Sequence, residues 1–121
     1  MNAAAVVLVC NADLVIGAAN GIGDAMAWGV EGTTGMSLRE LVEPSSMPAL
    51  LEMDGRLRKG RAVSNHQLLV RICPEPGVMQ FFGARVGNEI ILVAGPAVED
   101  VALMFNDPSL MADLQLAPLL R

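Results

Sequence analysis

The sequence predicts an α+β domain built on one antiparallel sheet. Three observations carry that expectation. Apolar residues alternate at period two near the start of the chain and again after Gly60. Between those regions they recur at three- and four-residue spacing instead. Turn residues separate nearly every segment, which suits short elements joined by tight connections.

The elements follow in order. Val6 to Val9 reads as a first strand and Leu14 to Ala19 as a second, with Asn11-Ala12-Asp13 as the turn of a hairpin. From Gly21 to Gly60 the residues Ile22, Met26, Leu38, Leu41, Val42, Leu50, Leu51 and Leu57 give the helical period, cut into short pieces by glycine and proline. Ser37 with Glu40 three residues on is a capping-box signature. Ser45 or Ser46 can cap a longer helix with Pro48 in its first turn, ending near Lys59-Gly60. Asn20 is expected to cap the first helical piece. Three longer antiparallel strands follow at Ala62 to Cys73, Val78 to Val86 and Glu89 to Ala94. Pro74-Glu75-Pro76-Gly77 and Gly87-Asn88 supply the turns. Pro96 to Asp100 reads as an exit linker, and Asp107-Pro108-Ser109 opens a final helix limited by Pro118. The expected division is a domain over 1–96 and a linker with a C-terminal helix over 97–121. Leu119-Leu120-Arg121 reads as a cut inside a continuing segment.

Composition narrows the function. The 121 residues are 53% hydrophobic and 17% charged, ample material for one core. The net charge of -5 (13 acids against 8 bases) and the lack of a visible basic stripe or run give nucleic-acid binding little support. Cys10 and Cys73 lack metal or redox spacing and read as reduced, buried thiols. No apolar run approaches the ~18 residues of a membrane span. The run Ala3 to Cys10 lacks the charge and length of a signal peptide. A cytoplasmic module without direct membrane contact is expected. No nucleophile–base constellation is visible, since acid pairs such as Glu52/Asp54 and Glu99-Asp100 have no partner at useful spacing and read as solvated. The segment is therefore expected not to be an enzyme, and no metal ligands are assigned.

Two resemblances compete over Leu14 to Leu41. VIGAANGIGDAMA resembles the nucleotide loop of short-chain dehydrogenases, with Gly17, Gly21 and Gly23 at matching spacing. The chain contains no Tyr, so that family's Tyr-x-x-x-Lys pair is missing, and no parallel strand with an acid follows. The same residues fit a PAS domain better. The resemblance runs from Val6 to Pro96 and rests on the hairpin VVLVCNADLVIGAAN, the helix onset at Asn20, the pair Trp28-Gly29, GMSLREL at Gly35 to Leu41, and Pro44. It implies a five-stranded antiparallel sheet with short helices on one face, enclosing a pocket that holds haem, flavin, a small acid or nothing. It also implies a sensory role, regulating a histidine kinase, a cyclic-dinucleotide enzyme or a transcription factor through dimerisation. Photoactive flavin is disfavoured, because no Cys follows Asn20 in the helical region. Haem is disfavoured, because Ser46 to Gly60 has no His.

The pocket candidates are Met26, Trp28, Met36, Leu51, His66, Leu68, Val70 and Phe82. His66, the only histidine, shares a strand face with Leu68, Val70 and Ile72 and reads either as a ligand contact or as a strand-edge residue. Eight methionines suit gap-filling core or an adaptable pocket lining. Leu69, Met79, Phe81, Ile90 and Leu92 are expected on the opposite sheet face, too apolar for solvent. That face is expected to meet a partner protomer, the segment Val101 to Leu120, or both. The expected partners are a second copy and a downstream effector domain, with a small-molecule ligand of unknown identity as a further option.

Overall fold

A computed structural model describes residues 4–72 and 77–95. The exit linker, the final helix, Cys73 and the turn 74–76 lie outside the described residues. β1 (Ala4–Cys10) and β2 (Ile16–Gly23) form the expected hairpin. Asn11 holds its turn: the side-chain oxygen accepts from the backbone N–H of Asp13 and Val15 at 2.9 and 3.0 Å. Leu14 closes the turn at φ 62, a left-handed conformation rare for a bulky residue, and its side chain is buried. Val9 pairs with Ala18 and Cys10 with Ile16, so Gly17 is the extra residue of a β-bulge.

β2 runs four residues past the expected Ala19, because β1 extends back to Ala4 and pairs with all of it. This overturns the capping role of Asn20. Asn20 is exposed inside β2, opposite Val7, and the first 3-10 turn (Asp24–Trp28) starts after Gly23 with no side-chain cap. Gly29, at φ 68, redirects the chain into a second 3-10 turn (Val30–Thr33). No dinucleotide loop results. β2 is an antiparallel edge strand followed by a 3-10 turn, whereas the pyrophosphate site needs a parallel strand feeding a helix. Gly21 is there for space, since a Cβ would collide with the carbonyl of Ala25.

α1 (Leu38–Leu41) has the full capping box, Ser37 with Glu40. Backbone bonds from Leu38 N–H to Leu14 O (2.9 Å) and Ile16 N–H to Met36 O (2.8 Å) tie its entry to the hairpin. α2 (Met47–Arg58) follows a 3-10 turn at Pro44–Ser46. Ser46 precedes the helix as expected but does not cap it. Its Oγ accepts from Leu69 N–H at 3.0 Å and fastens the helix start to the sheet edge. At the other end Gly60 (φ 75) donates to Leu57 O and Arg61 to Arg56 O, both at 3.0 Å, which is a Schellman motif.

β3 (Val63–Val70), β4 (Gly77–Val86) and β5 (Glu89–Gly95) complete an antiparallel sheet of order β2-β1-β5-β4-β3. β3 ends earlier than expected because Arg71 N–H turns to Leu41 O (2.8 Å).

Register decides which sheet face meets the helices. Directly opposed residues share a face. Val6, Ala94, Phe81 and His66 form one row across four strands, and Leu8, Leu92, Gly83 and Val63 another. Leu68 lies opposite Met79, and Cys10 opposite Ile90. These inner rows pack with Leu38, Leu50, Met53 and Leu57 into one buried cluster. Met79, Phe81, Ile90 and Leu92 therefore belong to the helix-side core and not to the outer face assigned to them from sequence. Of that set Leu69 alone points outward, opposite Val78. The outer face is instead Ala5, Val7, Phe82, Ile91 and Val93, with Asn20, Val7, Val93 and Phe82 in one row.

Candidate functional site

The helix-side interior is where the resemblance read from sequence places a pocket. It is filled by Leu8, Leu50, Met53, Leu57, Leu68, Met79 and Phe81, each with essentially no exposed surface. Two candidates, Leu68 and Val70, are part of that packing, and Trp28 and Met36 are half-buried against it. The others go elsewhere. Met26 is 72% exposed and Leu51 51% exposed, so neither faces the interior. In the short 3-10 turn and the three-turn helix around them, several registers satisfy the same apolar spacing. Phe82 is on the outer face, across the sheet from Phe81.

His66 does share the inner face with Leu68 and Val70. Its Nε2 lies 2.6 Å from the carbonyl of Ala49, so the ring pins β3 to α2. Asn65, at φ 53, makes the irregularity that sets this position. A backbone acceptor on Nε2 fixes the tautomer, with the hydrogen on that nitrogen.

Asp54, read from sequence as solvated, is buried. Its Oδ2 accepts from Arg58 Nε at 3.0 Å and lies 3.9 Å from Arg39, which joins α1 to α2. Oδ1 has no hydrogen-bond partner among the described residues. Arg58 also reaches Asp13 at 4.0 Å, so the cluster extends to the hairpin turn. At the opposite end of β3, Arg71 grips Glu43 with two bonds of 2.6 and 3.0 Å. The hydrogen bond from Arg71, reinforced by its charge, holds the Glu43 carboxyl below its ordinary value of 4.5. Burial pushes the Cys10 thiol up to about 12, which leaves it protonated and unreactive at neutral pH.

The outer face is the other distinctive surface. Ala5, Val7, Phe82, Ile91 and Val93 are buried, yet none belongs to the helix-side cluster. Both faces of the sheet centre are thus apolar and enclosed. The segment Val101 to Leu120, expected to cover this face, lies outside the described residues. Around the buried centre the face opens out: Val78 is 52% exposed, while Leu69, Val9 and Ala84 are half-buried. Its one charged residue among those described is Glu89, on the rim of a groove of about 320 Å³ shared with Val9, Asn11, Val15, Gly17 and Ala18. No helix among the described residues is long and apolar enough to cross a membrane.

No protein-family model and no curated protein matches this sequence. Solved structures do. The photosensory core module of a Stigmatella aurantiaca phytochrome superposes with TM-score 0.60 at 22% identity, over 79% of this chain and 20% of that one. The chromophore-binding domain of a Stigmatella aurantiaca bacteriophytochrome gives 0.58 at 21%, over 79% and 33%. This chain thus spans a fifth to a third of those two proteins. The PAS domain of the Cronobacter turicensis quorum-sensing receptor RpfR, solved in complex with BDSF, gives 0.58 at 15%, over 79% of this chain and 94% of that one. Five antiparallel strands in the order β2-β1-β5-β4-β3, with the short helices on one face, give this chain a PAS-like α+β fold.

Proposed function

We propose that this chain is a signal-sensing module that transmits through its outer sheet face to a downstream effector, such as a histidine kinase or a cyclic-dinucleotide enzyme. One observation carries the reading. The outer rows of β1, β5 and β4 are apolar, Val7, Val93 and Phe82 in one row and Ile91 beside them. A sheet face that served only as scaffold would alternate to polar residues. A continuous apolar face marks a surface made to be covered, and a change in its cover is a two-state device that a signal can bias. Dimerisation uses the outward rim, where Leu69 opposes the exposed Val78.

The ligand-sensing form of this reading draws support from the neighbour solved in complex with BDSF. In this chain a ligand would have to displace or rearrange the side chains that fill the helix-side interior, with half-buried Trp28 and Met36 at its margin. Native mass spectrometry of the full chain, purified without added ligand, separates the forms. A dimer carrying a discrete extra mass supports ligand sensing, and a bare dimer supports a protein–protein transmitter. Val78→Glu is expected to shift the dimer to monomer with an unchanged fold. A wild-type chain that stays monomeric at high concentration refutes the dimeric reading.

A further inference from the structure

The chain is acidic, yet its described cations are not evenly neutralised. Arg39, Arg56, Arg58 and Arg71 each have a carboxylate partner. Lys59, Arg61 and Arg85 have none among the described residues, and all three are exposed.

The fold brings these three to one pole. Lys59 closes α2, which packs against β3 and β4. The Schellman motif then fixes the direction in which Arg61 leaves the helix. Val63 pairs with Gly83, so Arg61, two residues before the one, and Arg85, two residues after the other, come to the same end of the β3–β4 ladder. Gly83 is in the inner rows, which places Arg85 on the α2 side of the sheet. Arg85 Nε donates to Gly87 O at 3.0 Å, which restrains its guanidinium beside the turn. Asp13 and Glu89 lie at the same end of the sheet, but Asp13 reaches Arg58 and neither carboxylate comes within 4.0 Å of these three cations, which leaves them open to an external anion.

We propose that Lys59, Arg61 and Arg85 form a docking surface for a short carboxylate-rich segment of a partner protein. Charge complementarity selects the anion, and the surroundings select its kind. The patch is small, and the net charge of -5 repels an extended polyanion such as duplex DNA or an anionic bilayer. Phe81 and Phe82 are buried, so the β3–β4 ladder offers no stacking platform for bases. A short acidic segment touches the cations alone. The proposal rests on the geometry of this pole and is independent of the signalling role of the outer face.

The test is fluorescence anisotropy with a labelled glutamate-rich peptide and the full chain. At about 10 mM salt, where screening acts over roughly 30 Å, binding is expected; at about 0.15 M, with roughly 8 Å, it weakens strongly. The charge-reversed variant Lys59→Glu/Arg61→Glu/Arg85→Glu is expected to lose roughly tenfold or more in affinity. The single alanine variants, which carry little risk of misfolding at exposed sites, each lose about two- to fivefold. Arg71→Gln, at the far end of β3, is expected to change affinity less than about twofold. No binding at low salt, equal binding by the alanine variants, or tighter binding of duplex DNA or anionic vesicles each overturns the proposal.

Discussion

One substitution, glycine to alanine, should have opposite signs at two places in this fold. Gly55 sits inside α2, without a left-handed backbone, and a Cβ there would meet nothing within 4 Å. Alanine in a helix interior is favoured over glycine by about 0.8–1 kcal/mol, so Gly55→Ala is expected to stabilise by about that much. Gly83 lies in the row between Leu92 and Val63. A Cβ there would collide with the carbonyl oxygen of Ile91 and stand 2.7 Å from Leu92 Cδ2. The leucine methyl can swing aside, but the carbonyl is fixed in the β4–β5 ladder. Restricting the unfolded chain contributes about 0.4–1 kcal/mol in favour of alanine. Overpacking a core costs about 1–3 kcal/mol. The net for Gly83→Ala is a loss of about 1–2 kcal/mol. Urea unfolding of the full chain reads both changes. With a slope of about 1–3 kcal/mol per molar, the two midpoints move in opposite directions, by about 0.3–1 M for Gly55→Ala and about 0.3–2 M for Gly83→Ala. Adding Leu92→Ala should not rescue Gly83→Ala, because the backbone clash remains. A Gly83→Ala midpoint at or above wild type would show that β5 yields at Ile91 and that the close approach of the strands is not a constraint.

Further expectations concern ionisation. Because Glu43 titrates lower in the folded chain than in the unfolded one, its pair with Arg71 stabilises the fold above the ordinary carboxylate value near 4.5. That contribution disappears as acid protonates Glu43 in the folded state. Glu43→Gln should therefore lower the urea midpoint at neutral pH and converge on wild type in acid; a constant difference across that range would mean the pair acts by packing and not by charge. With its thiol pushed up to about 12, Cys10 should react with a thiol reagent only at the rate of unfolding, measured in a Cys73→Ser background. Reaction in the native state at the rate of a free thiol would place Cys10 at the surface.

Much of the fold was legible in sequence because local chemistry encodes it. Asn11 and Asp13 specify the hairpin turn, Ser37 and Glu40 the capping box, and Gly60 and Gly87 the positive-φ turns, and the structure contains each. The period-two segments became five strands in the expected order. Asn20 was misread because capping and strand roles differ only in whether β1 supplies a partner, and β1 proved long enough to do so. Asp54 and the pole of cations were missed for a related reason. Arg56, Arg58, Lys59 and Arg61 crowd the end of α2 in too short a stretch to read as a basic run, and Arg85 joins them only through the β3–β4 register.

The sequence by itself determined the element order, the turns and the antiparallel plan, since each depends on residues close together along the chain. It could not determine which sheet face meets the helices. Alternation identifies a buried face only when the other face is polar. In Met79-Gln80-Phe81-Phe82 and in Ile90-Ile91-Leu92-Val93 both faces are apolar, so the pattern carries no direction. The tertiary structure decided it by pairing Leu68 with Met79, which sends Phe81 into the core and leaves Phe82 and Val93 to form the outer surface.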